Sequence, residues 1–313
     1  MASHEWIEFG IRGPRITSLQ HGDETGSDLK ILVAGADGLL GRDLVEVALS
    51  SGHEVRALGP TDLDVTDADR VRNRIALDRP DVVINCAARS DVDWAEEDPA
   101  GAEWVNAIGA ANLAESAAAT DARVLYLSSG YVFDGTKDTP YLESDPPAPL
   151  SAFGRSKLKG EEATLFANPR AYVVRTSWLF GRGKSNFAEM MLRSGEIGGQ
   201  VLVAHDQVGS PTWTRHLAVG LVRLLDTDRF GIHHMAAAGY CSRYDFAREL
   251  FDRAGIEVVT LSATTAMLDQ KASRPAFSAL ESEYETAIEL PAWQEGLAGY
   301  LASLDASGIS SGR

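Results

Sequence analysis

The sequence predicts an α/β fold in which a doubly wound parallel sheet carries a smaller C-terminal lobe. Three observations predict it. From residue 29 onward, short apolar runs alternate with longer amphipathic stretches, the pattern of parallel strands covered by helices on both faces. Glycines at spacing three, Gly35, Gly38 and Gly41, follow directly on the first apolar run, Lys30-Ile31-Leu32-Val33-Ala34. After Trp178 the elements become shorter and turn-rich, with Gly181, Gly183, Gly195, Gly198 and Gly199, as expected of a lobe built around the sheet's carboxyl edge with a ligand between the two parts.

In chain order, strands are read at 30–34, 54–58, 82–85, 123–128 and 172–175, and helices at 41–51, 67–78, 98–119 and 153–165. Residues 1–28 mix Glu5, Glu8, Arg12, Arg15, Asp23 and Glu24 with glycines and polar residues. They lack the apolar centre of a signal peptide and are expected to be a disordered extension. Residues 303–313 are polar and small and are expected to be a flexible tail. The segment between, 29–302, reads as one unit: a dinucleotide-binding core over about 29–177, then a lobe over about 178–302 that mainly serves the substrate and returns in places to the core.

Composition narrows the partners. In a chain of 313 residues, 44% of them hydrophobic, a sizeable interior can form. Lysine and arginine number 29 against 45 acidic residues, a net charge of −16, which excludes nucleic acid or an anionic membrane as the main partner. An anionic small-molecule substrate must therefore be met by local cations. The two cysteines, Cys86 and Cys241, give no disulfide framework, and a reducing cytoplasm is expected. No run approaches the roughly 20 apolar residues of a spanning helix. The oligomeric state stays open, with a homodimer among the options.

The glycine loop is the first chemical signal. A strand precedes Gly35-Ala36-Asp37-Gly38-Leu39-Leu40-Gly41 and an amphipathic helix follows it. Glycines here permit a tight turn, let backbone amides approach a diphosphate and allow the helix to pack closely on the strand, which is the Rossmann-type arrangement for NAD(H) or NADP(H). Cys86, Ala87 and Ala88, small residues after the third strand, are expected to border the same cofactor. Asp64 and Val65 are candidates to border its adenine, although Thr66 or Asp67 here also suits a helix cap. The second strand ends Ala57-Leu58-Gly59 without the carboxylate that usually holds an adenosine ribose. NADH and NADPH both remain open. Arg56 is read either as a partner for a 2′-phosphate or as a solvated strand residue.

Ser128-Ser129-Gly130-Tyr131-Val132-Phe133 after the fourth strand and Phe153-Gly154-Arg155-Ser156-Lys157 at a helix start carry a family resemblance. With Arg175-Thr176-Ser177-Trp178, Asn186-Phe187, Asp206-Gln207-Val208-Gly209-Ser210-Pro211-Thr212 and Arg274-Pro275, they make the chain resemble the extended short-chain dehydrogenases, and more narrowly the dTDP-4-dehydrorhamnose reductase family, from about residue 29 to about 302. The resemblance implies hydride transfer to C4 of a nucleotide-linked 4-keto-6-deoxy sugar. It also implies a hydroxyl residue that hydrogen-bonds the carbonyl, matched by Ser129, and a lysine that supports the acid and the nicotinamide ribose, matched by Lys157. The family's proton-donating tyrosine is matched by Phe153, which has no proton to give. Its usual acid before the Tyr-Val-Phe run is matched by Gly130.

Loss of a positioned general acid lowers rates by about 10² to 10⁴. Tyr131, Tyr141, Ser151 or a water held by Ser129 and Lys157 are the candidate substitutes. Restoring both groups, with Phe153→Tyr and Gly130→Asp, is expected to raise a reductase rate. For the sugar nucleotide, Tyr131 and Trp178 are expected against the sugar, while Arg182 and Lys184 offer donors for its diphosphate. Asn186, Gln207 and Arg274 complete the substrate set. Each has a plainer reading as core, turn or solvated charge.

Other chemistries find little footing. His233 and His234 are adjacent on a strand and point to opposite faces. No zinc spacing or GxSxG elbow occurs. The acids from Asp91 to Asp98 read as helix caps in place of a metal site. A slow or rewired 4-ketoreductase and a binding subunit without turnover are the two functions left.

Overall fold

Alternate residues of the first strand point into two different apolar layers, and the doubly wound sheet is built on that alternation. The structure is a computed structural model and describes residues 28–306. β1 (Lys30–Ala34), β2 (Glu54–Leu58), β3 (Val82–Asn85), β4 (Arg123–Ser129), β5 (Ala171–Thr176) and β6 (Gly231–His234) form one sheet in the order β6-β5-β4-β3-β1-β2. Every pairing in it is parallel. Ile31 and Val33 pack with Leu40, Leu44 and Val47 of α1 (Leu39–Ser50) and Leu217 and Leu221 of a later helix. Leu32 and Ala34 pack on the other face with Val71 and Ile75 of α2 (Ala68–Asp78) and Leu113 and Ala117 of α3 (Gly109–Ala119). Strand order reverses between β1 and β3, so the crevice beyond their carboxyl ends is where such sheets take ligands.

The stretch read as one helix over 98–119 is helical almost throughout but changes pitch. Pro99–Glu103 is α-helical, Trp104–Ile108 is a π-helical turn, and α3 follows. The wider turn carries Asn106 inward, where its amide bonds the backbone N–H and C=O of Arg89 and the hydroxyl of Ser156. Side-chain demand overrides α-helical spacing here. Next come α4 (Ala152–Ala167), then α5 (Phe187–Ile197), α6 (Thr214–Leu225), α7 (Arg243–Ala254) and α8 (Trp293–Ala306).

α5, α7 and α8 gather around their own apolar cluster, which includes Phe180, Met191, Phe246, Phe251, Trp293 and Tyr300. α6 returns to pack on α1, and β6 extends the sheet beside β5. α8 runs on to Ala306 with the Ser303 hydroxyl donating to the Tyr300 carbonyl, so residues 303–306, expected in a flexible tail, are helical. The rest of that tail and residues 1–27 lie outside the described residues. No helix among the described residues is long and apolar enough to cross a membrane.

Three polar readings resolve in the fold. Asp67, and not Thr66, caps α2, accepting from the Arg70 N–H at 3.0 Å. Arg56 is not a solvated strand residue: its Nε lies 3.5 Å from Asp78, where a buried carboxylate at the end of α2 calls for a nearby cation. Asp91 and Asp98 cap the short helices that follow them, and no cluster able to hold a metal ion occurs among the described residues.

Candidate active site

The carboxyl ends of β1, β3 and β4 bring the glycine loop, the Cys86 segment and Ser129 to one edge of the sheet. Gly35 has φ +78°, and a Cβ on it would lie 2.5 Å from the Ala87 backbone nitrogen. The two loops therefore touch through backbone alone. Gly41 is equally constrained, since its Cβ would meet the Gly35 carbonyl at 2.3 Å. Gly38 caps α1 with no side-chain hydrogen bond and no acid in the first turn, which leaves the positive end of the helix open to an anion. These are the features a cofactor diphosphate requires, and Leu39 and Leu40 continue the loop into α1 beside Asp37. Cys86 stays a thiol, its pKa pushed up to about 12 by burial. Ala87 is fixed by its N–H to the Asn85 side chain, 3.0 Å, and Ala88 is exposed.

At the segment expected to border the adenine, Val65 is buried against Gly109, and Asn112 donates to its carbonyl. Asp64 closes an Asx turn on Thr66, whose hydroxyl and N–H hold its carboxyl below the usual range. The tip of β2 is not without acids: Asp62 accepts from the Gly59 N–H at 3.1 Å, and a Cβ at Gly59 would lie 3.5 Å from Asp37 as well as Asp62. The sequence reading missed this because these carboxylates come from neighbouring turns and not from the strand itself.

The residues expected to be catalytic lie on β4 and α4. Ser129 Oγ accepts from the Tyr131 N–H at 3.2 Å, so the hydroxyl proton remains to be donated. Ser151 caps α4 on the Gly154 N–H, and a Cβ at Gly154 would strike the Tyr131 carbonyl at 2.1 Å. The start of α4 is thereby clamped against the Tyr131 turn. Phe153, 8% exposed, packs with Ala95, Ala102 and Ala152, and its ring lies edge-on to Tyr131 with centroids 6.0 Å apart.

Lys157, one helical turn on, sets its ammonium 4.1 Å from the Tyr126 ring centroid. Burial lowers its pKa to about 7, with Glu161 and Cys86 opposing the shift. Beneath it, Glu161 is held by Arg175 through two hydrogen bonds of 2.9 and 2.7 Å and by the Ser128 hydroxyl. That buried network ties α4 to β4 and β5.

Two of the candidate proton donors are committed elsewhere. The Tyr141 hydroxyl donates to Asp134 at 2.6 Å and accepts from the Thr136 N–H, while its ring stacks on Phe133 at 4.2 Å. Ser151 is the α4 cap. Tyr131 is the phenol next to Phe153 and Ser129.

Several expected substrate residues have structural work. Asn186 caps α5 and donates to the Gly181 and Lys184 carbonyls. Gln207 is buried and donates to Thr265 and Gln270. Arg274 grips Asp93 with two bonds of 3.0 and 2.9 Å. Arg182 donates to the Ser303 carbonyl, and Lys184 lies 3.6 Å from Asp37 of the glycine loop. Trp178, at φ +45°, has Gly209 pressed against its indole and the Arg243 guanidinium 3.6 Å from its centroid. Arg243 escaped the sequence reading: its contacts come from distant segments, so no local pattern marks it.

A family model described as RmlD substrate binding domain matches residues 29–306. A dTDP-4-dehydrorhamnose reductase of Mycolicibacterium smegmatis is 40% identical over 282 residues, spanning 88% of this chain and 86% of that protein. The spore coat polysaccharide biosynthesis protein SpsK of Bacillus subtilis is 37% identical over 274 residues, 87% of this chain and 96% of that one. Among solved structures, a dTDP-4-dehydrorhamnose reductase from Clostridium acetobutylicum matches with a TM-score of 0.86 at 39% identity, covering 88% of this chain and 99% of that one. That of Bacillus anthracis, solved in complex with NADP, matches with a TM-score of 0.86 at 32% identity, covering 88% and 100%.

Proposed function

The chain belongs to the RmlD substrate binding domain family, and on that premise we propose that it reduces the C4 keto group of a dTDP-linked 4-keto-6-deoxy sugar with NADH or NADPH, drawing the proton from Tyr131. The observation that carries the reading is that the Tyr131 ring lies against Phe153, while its N–H donates to the retained Ser129 and Lys157 stands one turn beyond Phe153 on α4. The glycine loop and the open end of α1 would hold the cofactor diphosphate. Reduced nicotinamide supplies the hydride when bound.

The chain's own residues then have distinct tasks. Ser129 donates its hydroxyl proton in a hydrogen bond to the keto oxygen and so orients the carbonyl. Tyr131 gives up its phenolic proton as that oxygen gains negative charge. Phe153 and the alanines around it wall off water. Lys157, with its pKa near 7, divides between ammonium and amine at neutral pH and supports the ribose side of the site. An inactive dinucleotide-binding subunit finds no support in the relatives above.

The test is oxidation of NADH and of NADPH, followed by absorbance, with a dTDP-4-keto-6-deoxy sugar. Wild type is expected to turn over, and Tyr131→Phe to lose about 10² or more in kcat. Absence of turnover with both cofactors, while cofactor and dTDP still bind, would overturn the reading.

A further inference from the structure

Arg243 opens α7 directly after Ser242, the residue whose hydroxyl caps that helix. Its guanidinium lies 3.6 Å from the Trp178 ring centroid and 4.6 Å from that of Phe187, and the Tyr131 phenol is near enough to favour its charge. Three segments therefore converge on one cation: the turn after β4, the stretch after β5 and the first turn of α5. Aromatic faces hold the plane of a guanidinium and leave its edge donors directed outward.

What sets Arg243 apart is the company it lacks. Arg274 is neutralised by Asp93, and Lys184 lies beside Asp37. Arg243 has no carboxylate partner among the described residues. Its charge is partly withdrawn from water, and burial works against the charged form, with nearby Arg274 adding to that penalty. Leaving a buried charge uncompensated is costly, and one neighbouring phenol can take at most one of the five guanidinium donors. An anion with paired oxygens satisfies the remaining edge in the bidentate geometry that guanidinium favours.

We propose that Arg243, held on the Trp178 and Phe187 rings, binds the diphosphate of the sugar nucleotide. The identity of the anion rests on the ketoreductase reading; the need for one rests on the geometry of Arg243. In a chain with a net charge of −16, such a cation lets a dianionic group enter the cleft. Trp178 accordingly serves as the platform for Arg243 and not as a bare stacking surface for the sugar. Arg182 and Lys184 give up the diphosphate role assigned from sequence.

The experiment titrates dTDP and, separately, thymidine into NADH-loaded wild type, Arg243→Lys and Arg243→Gln by calorimetry. Arg243→Gln is expected to weaken dTDP by about 10- to 100-fold while thymidine and NADH bind as in wild type. Arg243→Lys, which keeps the charge and loses the fork, is expected to fall between and guards against a glutamine variant that does not fold. Equal dTDP affinity in wild type and a folded, NADH-binding Arg243→Gln overturns the proposal and leaves the ketoreductase reading standing. A wild type that binds NADH and no dTDP overturns both.

Discussion

Phe153→Tyr separates a site that has lost its acid from one that has moved it. The substitution adds one hydroxyl to a ring that is 8% exposed and walled by Ala95, Ala102 and Ala152. Unpaired, that hydroxyl lowers stability by about 1–3 kcal/mol. Lys157 stands on the next turn of α4, on the same helix face, and its ammonium favours proton release from a phenol. If Tyr131 already donates the proton, a second phenol is redundant, and Phe153→Tyr alone is expected to change kcat by less than about 10-fold. Tyr131→Phe is expected to lose about 10², equal to roughly 2.7 kcal/mol of barrier, and the double variant to recover most of it.

The recovery has a pH signature. Burial brings the Lys157 pKa from 10.5 to about 7, so the ammonium that helps a phenol at 153 is present below pH 7 and is lost above it. Rescue is therefore expected to be stronger at pH 6 than at pH 8. The assay is steady-state turnover of the four proteins with one 4-keto sugar nucleotide, read as a double-mutant cycle. A rise of about 10-fold or more from Phe153→Tyr alone, with no loss from Tyr131→Phe, would refute Tyr131 as the donor.

Further outcomes follow from other parts of the same site. Lys157→Met is expected to stabilise the fold by roughly 2–4 kcal/mol near pH 7 while abolishing turnover. The unfolded chain holds the lysine proton between about 7 and 10.5 and the folded chain does not, so the gain should shrink as pH rises toward 10.5; denaturant unfolding at two pH values checks it. With Asp62 and Asp37 flanking Gly59 and Arg56 engaged by Asp78, a 2′-phosphate meets like charge, and NADH is expected to bind on the order of 10-fold more tightly than NADPH. Tighter NADPH in a fluorescence titration would contradict this. Gly130→Asp is expected to destabilise the protein and not to raise turnover in the Phe153→Tyr background; a faster double variant of unchanged thermal stability would show otherwise.

What was legible in the sequence was what chain neighbours decide. The apolar runs of β1 and β3 and the glycine spacing after β1 are local, and the first five strands lie where the pattern puts them. β6 was not read, because Gly231-Ile232-His233-His234 is no apolar run and becomes a strand only where the edge of β5 offers it a partner. The site divides the same way. Ser129, Tyr131, Phe153 and Lys157 follow from motif order, whereas Arg243 on Trp178, Arg274 on Asp93 and Arg56 on Asp78 depend on which distant side chain packs against each.

The two departures at the catalytic centre differ in kind for the same reason. At 153 the frame around the ring persists: the Ser151 cap, the clamp of Gly154 on Tyr131 and Lys157 one turn on. At 130 the frame has closed. A Cβ there would lie 3.0 Å from the Ser278 carbonyl and 3.4 Å from Leu280, and Ser177 donates to that carbonyl while Leu280 bridges to Tyr141. An aspartate there presses its Cβ on that carbonyl and on Leu280, so one of them must give by a few tenths of an ångström. The segment carrying Ser278 and Leu280 thus crowds position 130, and the phenol of Tyr131, the next residue along, is the polar group this turn presents beside Phe153.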